Sequence, residues 1–335
     1  MANFIKTVTG EPVQRAFLSY IDNITFARRE SRDLKMRILT PRRLPMVPHP
    51  ANGYNREDMD PAFKGDERRP NFGMPLQTDP MPAVIFMMGT GFNGSAGYAG
   101  LVSHADIARE GVVMAAIDYR GAARDNTRFP DSIQDCKEAI RFLRANAEQY
   151  GIDPDRIFLM GSSSSGYTVA MCAVTGDEPE FNIGENLEYS SIPNGVVDMF
   201  GPVDFELIVP DRVAAGRKMG LFTHEAYALF RNDVVEHPEL LKQASVLRRV
   251  SPEKDIPPVL ILHGDKDETI PLMQSKRLYE ALDKAGKSVQ MYIIEGGGHE
   301  HGIWTAETRK AVIDFILDRK KDLPPALWAF HRDNL

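Results

Sequence analysis

Short apolar runs alternate with amphipathic stretches through most of the chain. Residues 82–88, 112–117, 156–160, 195–201 and 258–263 are dominated by Val, Ile, Leu, Met and Phe. Runs of this length and make-up predict strands buried on both faces, as in a parallel sheet. Between and after them lie helical patterns at 103–110, 131–150, 167–174 and 273–285. In the second of these, Ile133, Cys136, Ile140 and Leu143 share one face. A strand at 288–295 and a final helix across 306–322 complete the alternation, and 14–27 and 33–39 read as two strands near the start. Strand–helix alternation of this kind predicts an α/β fold, with a mostly parallel central sheet and helices on both faces.

Two stretches break the pattern. From Pro41 to Pro82 there are nine prolines, a density that rules out a regular helix or a central strand. This insertion is longer than the roughly 12–15 residues usual for a structureless connection, which marks it as a functional or interface loop or else a passive surface insertion. Residues 204–250 hold helical pieces, at 225–231 and 238–250, without strand character, and read as a small helical cap inserted over the sheet edge. The length of 335 residues suits a single domain spanning 1–335.

Composition narrows the partners. The net charge of −7, with no long basic run, argues against nucleic acid. No run approaches the ~18 apolar residues of a membrane span, and residues 1–8 lack the apolar core of a signal peptide. Cys136 and Cys172 both fall in predicted helices and read as buried, reduced thiols, which fits a cytoplasmic protein. With no Cys/His ligand spacing and no Gly-rich loop followed by lysine, no metal or nucleotide cofactor is expected.

The chemistry gathers around Gly161-Ser162-Ser163-Ser164-Ser165-Gly166, between a predicted strand and a predicted helix. Strand, abrupt serine-bearing turn and helix is the layout of a nucleophile elbow, which lifts one serine oxygen above the sheet edge. Strand and helix pass closely there, so the residues two before and two after the tip must be small. Ser163 has Gly161 and Ser165 in those places, and Ser164 has Ser162 and Gly166. A serine needs a base, and the base an orienting acid. Two later strand ends supply them, in 264–268 with Asp265 and Asp267, and in 296–302 with His299 and His301. Asp204 is a further candidate acid. The order Ser, Asp, His is that of the α/β-hydrolase arrangement.

Over roughly residues 84–315 the chain resembles the α/β-hydrolase superfamily, in particular its hormone-sensitive-lipase-like and feruloyl-esterase-like carboxylesterases. The resemblance is carried by Asp118-Tyr119-Arg120, Phe129-Pro130, the turn 151–156, the serine elbow, 201–204, 263–267 and 297–299 together. It implies Ser163 as nucleophile, Asp267 as acid and His299 as base. It also implies an oxyanion hole built from the backbone N–H groups of Thr90, Gly91 and Ser164. Three departures stand out. Ser165 replaces the first glycine of Gly-x-Ser-Ala-Gly-Gly, Met88 replaces the histidine of His-Gly-Gly-Gly, and Thr90 replaces a glycine of the same motif. The Asp118-Tyr119-Arg120 motif is expected to brace this region through Arg120, by ion pairs or backbone bonds. Phe92, Tyr98, Phe222, Tyr227 and Trp304 are candidates for the pocket wall.

The expected activity is that of a serine carboxylic-ester hydrolase working through an acyl-enzyme on a small-molecule ester. Its rivals are an amidase or peptidase on the same fold and a non-catalytic ligand-binding relative. Oligomeric state is left open, a homodimer being one option.

Overall fold

The computed structural model describes residues 18–41, 79–94, 100–216, 224–231 and 233–318. Among the described residues eight strands form one sheet: β1 (Leu18–Arg28), β2 (Asp33–Pro41), β3 (Met81–Met87), β4 (Val113–Ile117), β5 (Ile152–Ser162), β6 (Gly195–Met199), β7 (Val259–Gly264) and β8 (Val289–Ile294). Their spatial order is β1-β2-β4-β3-β5-β6-β7-β8. β1 and β2 pair antiparallel, as do β2 and β4, and every other pair is parallel. Parallel neighbours need crossovers. These carry the helices α1 (Ala105–Arg109), α2 (Asp131–Ala145), α3 (Ser164–Thr175), α4 (Leu272–Lys284) and, after β8, α5 (Ala306–Leu317).

Every residue of β3, β4, β6 and β7 is buried, as their unbroken apolar runs require. Alternate side chains then face opposite ways. Val84, Phe86, Met114, Met160, Val197 and Leu260 join one core layer, and Ile85, Met87, Val113, Leu159, Val196 and Ile261 the other. Burying each such side chain is worth roughly 1.5–3 kcal/mol, so the strand ends between the layers are rigid supports for loops. Charged groups brace one helix. Arg120 meets Asp135 at 2.9 Å and Asp131 at 2.9 Å, and Arg29 shares the fully buried Asp135 at 2.9 Å.

Several boundaries differ from the sequence reading. Residues 153–155, expected as a turn before the strand, lie within β5, where the pairing with β3 jumps from Met81↔Ile152 to Ala83↔Ile157. Pro154 has no N–H to give a ladder, so this segment bulges out and the register resumes at Ile157. The helix expected over 131–150 is interrupted at Asn146. The stretch 238–250 is a single turn, Leu240–Gln243, and a 3-10 turn, Leu247–Arg249, because Leu241, Ala244 and Val246 each have to reach the core. β6 stops at Met199, since Phe200 takes φ +47°. The last helix stops at Leu317, with Asp318 left-handed at φ +48°. Most of the proline-rich 41–82 segment, with Tyr98 and Phe222, lies outside the described residues. Among the described residues no helix is long and apolar enough to cross a membrane.

Candidate active site

β5 delivers the serine run. Its last residue is Ser162, α3 begins at Ser164, and Ser163 between them has φ +53° and ψ −124°. A side chain rarely adopts such backbone angles, which cost on the order of 1–3 kcal/mol. Close packing on both sides holds it there. A Cβ on Gly161 would strike the backbone of Ser165, and one on Gly166 would come within 2.9 Å of the Gly201 Cα. Ser163 N–H donates to the Met199 carbonyl at 2.9 Å, fixing the elbow to β6. Ser165, which stands where the family motif has glycine, is fully buried, and its hydroxyl donates to the Met88 carbonyl at 3.0 Å.

The loops after β7 and β8 meet at backbone level. Lys266 N–H donates to the Gly297 carbonyl at 2.8 Å, and a Cβ on Gly264 would overlap Gly297. That contact brings Asp267 and His299 together. Asp267 Oδ2 accepts from His299 Nδ1 at 2.8 Å, and His299 Nε2 lies 3.0 Å from Ser163 Oγ. With Nδ1 donating to a carboxylate, the tautomer follows, and Nε2 is free to accept the serine proton. The Phe200 ring packs edge-on against His299 at 4.8 Å.

Asp267 is held from several directions. Its side chain is fully buried, and Oδ1 accepts the N–H groups of Thr269 at 2.7 Å and Ile270 at 2.9 Å. His263 Nε2 lies 3.4 Å from Oδ2 and 3.0 Å from the Ile270 carbonyl, and its Nδ1 is 2.7 Å from Ser275 Oγ. Since both Nε2 neighbours are acceptors, His263 carries its proton on Nε2 and takes one from Ser275 on Nδ1. Burial alone would raise the Asp267 carboxyl, but the hydrogen bonds from His263 and His299 outweigh it and hold the group well below the usual range. It is therefore an anion facing an imidazole.

The other candidates are engaged elsewhere. Asp204 accepts from Glu206 N–H at 2.9 Å and from the Ser245 hydroxyl at 2.5 Å. Asp265 accepts Gly296 N–H at 2.7 Å. His301 packs on Gly298, which donates its N–H to the His301 carbonyl at 3.0 Å. Ser164 Oγ does not meet His299. It is 3% exposed and accepts Thr90 N–H at 3.0 Å.

That last bond occupies one of the three expected oxyanion donors. Thr90 N–H is engaged by Ser164, whereas Gly91 N–H has no partner among the described residues, and Ser164 N–H stands at the first position of α3 with no carbonyl four residues back inside the helix. Phe92 packs in the core against Tyr167 at 5.5 Å and Phe205 at 6.1 Å, and Trp304 packs against His104 at 4.9 Å. A cavity of about 360 Å³ formed by Asp204, Glu206, Leu207, Leu247 and Arg248 includes none of Ser163, Asp267 and His299.

Two side chains near the elbow carry no motif of their own. Glu300, exposed and at φ +65°, accepts from the Ser162 hydroxyl at 3.5 Å. Asp198 on β6 is fully buried; its Oδ1 accepts Gly201 N–H at 2.9 Å, and Oδ2 has no partner among the described residues. Burial pushes its carboxyl up to about 6 against the Gly201 bond and His263. Position in a buried strand is the only signal the sequence holds for it.

A mainly parallel eight-stranded sheet, with a strained serine at one strand end and an imidazole–carboxylate pair from two others, defines an α/β-hydrolase. The chain belongs to the BD-FAE family, whose model matches residues 73–282. It is 30% identical over 247 residues to esterase LipC of Mycobacterium tuberculosis, covering 72% of this chain and 59% of LipC. To the probable carboxylic ester hydrolase LipM of the same organism it is 29% identical, over 57% of this chain and 42% of that one. It thus spans about half the length of these curated relatives. Among solved structures it is similar to a truncated carbohydrate esterase from gut microbiota, with a TM-score of 0.66, 25% identity, and 92% of this chain and 98% of that chain covered. Esterase 2 of Thermogutta terrifontis, with butyrate bound, shares the fold at a TM-score of 0.61 and 22% identity, covering 92% and 95% of the two chains.

Proposed function

We propose that the protein is a serine carboxylic-ester hydrolase acting through an acyl-enzyme on a small-molecule ester. The observation that carries the reading is His299, within hydrogen-bond distance of Ser163 Oγ through Nε2 and of the buried Asp267 through Nδ1. His299 takes the Ser163 proton as Oγ attacks the ester carbonyl, and Asp267 holds the imidazolium that forms. The negative charge on the carbonyl oxygen is met by the N–H groups of Gly91 and Ser164, the latter at the start of a 12-residue helix whose dipole favours an anion. His299 then returns the proton to the leaving alcohol. A water deprotonated by the same histidine attacks the acyl-enzyme, and the acid departs with Ser163 restored. The esterase names of the relatives support the choice of ester over other acyl compounds.

Purified Ser163→Ala should retain its fold and lose hydrolysis of short p-nitrophenyl esters by a factor on the order of 10⁴ or more. Full activity in that variant would refute the nucleophile. We also place the protein in a reducing, cytoplasmic compartment, a reading supported by Cys136 and Cys172 being free and buried.

A further inference from the structure

We propose that the hydroxyls of Ser162, Ser164 and Ser165 are positioning groups that lock the loop after β3 so that Gly91 N–H faces the reacting carbonyl. This rests on Ser163 being the nucleophile, as read above. Three successive peptide planes of the loop are held by side chains or by the turn that follows. The Met88–Gly89 plane is held at both ends. Its carbonyl accepts from Ser165 Oγ at 3.0 Å and from Tyr119 OH at 2.7 Å, and its N–H donates to Ser162 Oγ at 3.1 Å. The Gly89–Thr90 plane is held at its N–H, which donates to Ser164 Oγ at 3.0 Å. The Thr90–Gly91 plane is held at its carbonyl, which accepts from Asn93 N–H at 3.3 Å and Asn93 Nδ2 at 3.1 Å. The remaining end of that third plane is Gly91 N–H.

Such a loop needs holding. Glycines at 89 and 91 leave its peptide units free to rotate, and Gly91 already sits at φ +62°. A half-turn of the third plane would put a carbonyl where the donor belongs, turning attraction for an oxyanion into repulsion. Water is a poor substitute for the anchors, because Ser162 is 6% exposed, Ser164 3%, Ser165 0% and Tyr119 1%. Tyr119 stays a neutral donor, since burial raises its phenol above the ordinary value despite the hydroxyls of Ser165, Thr90 and Ser164 around it. Thr90 Oγ1 lies 3.0 Å from Tyr119 OH and donates to it, as the phenol proton goes to Met88. The His-Gly-Gly-Gly motif that this loop resembles has a histidine where this chain has Met88. Here the serine run supplies support: one hydroxyl meets His299, and the other three meet the loop.

The test compares Ser162→Ala, Ser164→Ala and Ser165→Ala in the full chain. The assays are p-nitrophenyl acetate turnover, thermal melting, inhibition by a trifluoromethyl ketone and labelling with a fluorophosphonate. Each variant should lose roughly 10-fold in kcat with KM little changed. The ketone adds to Ser163 as an oxyanion, so its Ki should rise by about the factor lost from kcat, and Ser164→Thr should recover part of the loss. Unchanged kcat in all three variants, a rise in kcat for Ser164→Ala, or a lower kcat with unchanged ketone Ki would overturn the positioning role. Loss of labelling in folded Ser164→Ala, with Ser163→Ala still labelled, would instead assign the attack to Ser164 and overturn the reading of the site itself.

Discussion

Gly89→Ala isolates the closeness of loop and elbow as a steric quantity. Gly89 is not in a left-handed conformation, so alanine brings no backbone penalty. What it adds is one methyl group, 2.6 Å from the Ser163 Cβ and closer still to the Ser162 carbonyl. Real Cβ atoms essentially never come within 3.0 Å of another heavy atom, so loop and elbow must part by something on the order of 1 Å. Overpacking of this kind costs about 1–3 kcal/mol, a loss of several degrees in melting temperature at about 2–4 °C per kcal/mol for a domain somewhat smaller than this one. A displacement of ~1 Å between nucleophile and oxyanion donors is worth about 10²-fold in rate, or about 2.7 kcal/mol of barrier. The activity loss should therefore exceed what the stability loss explains at a temperature where the variant is folded. The assay is kcat/KM on p-nitrophenyl acetate, normalised by fluorophosphonate titration of active serine, beside a melting curve. Wild-type kcat/KM per titrated site, with an unchanged melting temperature, would refute the close approach and the mechanism built on it.

Two further outcomes follow from the buried carboxylates. Asp267→Asn should lower kcat by about 10³–10⁴-fold at neutral pH, because the amide opposes hydrogen-bond donors in either orientation: His299 and His263 on one side, Thr269 and Ile270 N–H on the other; a loss of less than tenfold would count against the acid. Asp198 bears on stability. Its folded carboxyl stands at about 6, above the ~3.9 of an exposed aspartate, so the folded state favours the protonated form. Its contribution is complete below about pH 4 and is lost as pH rises through about 6, up to roughly 3 kcal/mol. Melting curves from pH 4 to 7 should show Asp198→Asn flattening that part of the wild-type dependence, and parallel curves would refute the assignment.

Much of the architecture was legible in the chain because a parallel strand covered on both faces has to be apolar throughout. That requirement marks 82–88, 112–117 and 258–263 as strands without reference to anything distant. Boundaries were less legible where a competing local demand acts: Pro154 forces a bulge inside β5, and the core contacts of Leu241 and Val246 break a helical pattern into short turns. At the site, the residue types and their order pointed to the serine run and to the acids and histidines at two later strand ends, and the family resemblance singled out Ser163, Asp267 and His299 among them. The engagement of Thr90 N–H was not legible, because Ser164 reaches it across 74 positions of sequence.

The sequence by itself determined the sheet's composition, the serine run and the glycines that permit close approach, since each follows from the periodicity or size of neighbouring residues. Tertiary structure decided how four adjacent serines divide their hydroxyls. Ser163 alone turns to His299, because its φ of +53° aims it out of the elbow, while Ser162, Ser164 and Ser165 meet a loop delivered by a different strand. It also decided that His263 stands behind Asp267 and that Asp198 is buried with an oxygen unpartnered among the described residues. Those facts depend on which strands lie side by side, and strand order is set by the packing of the whole sheet.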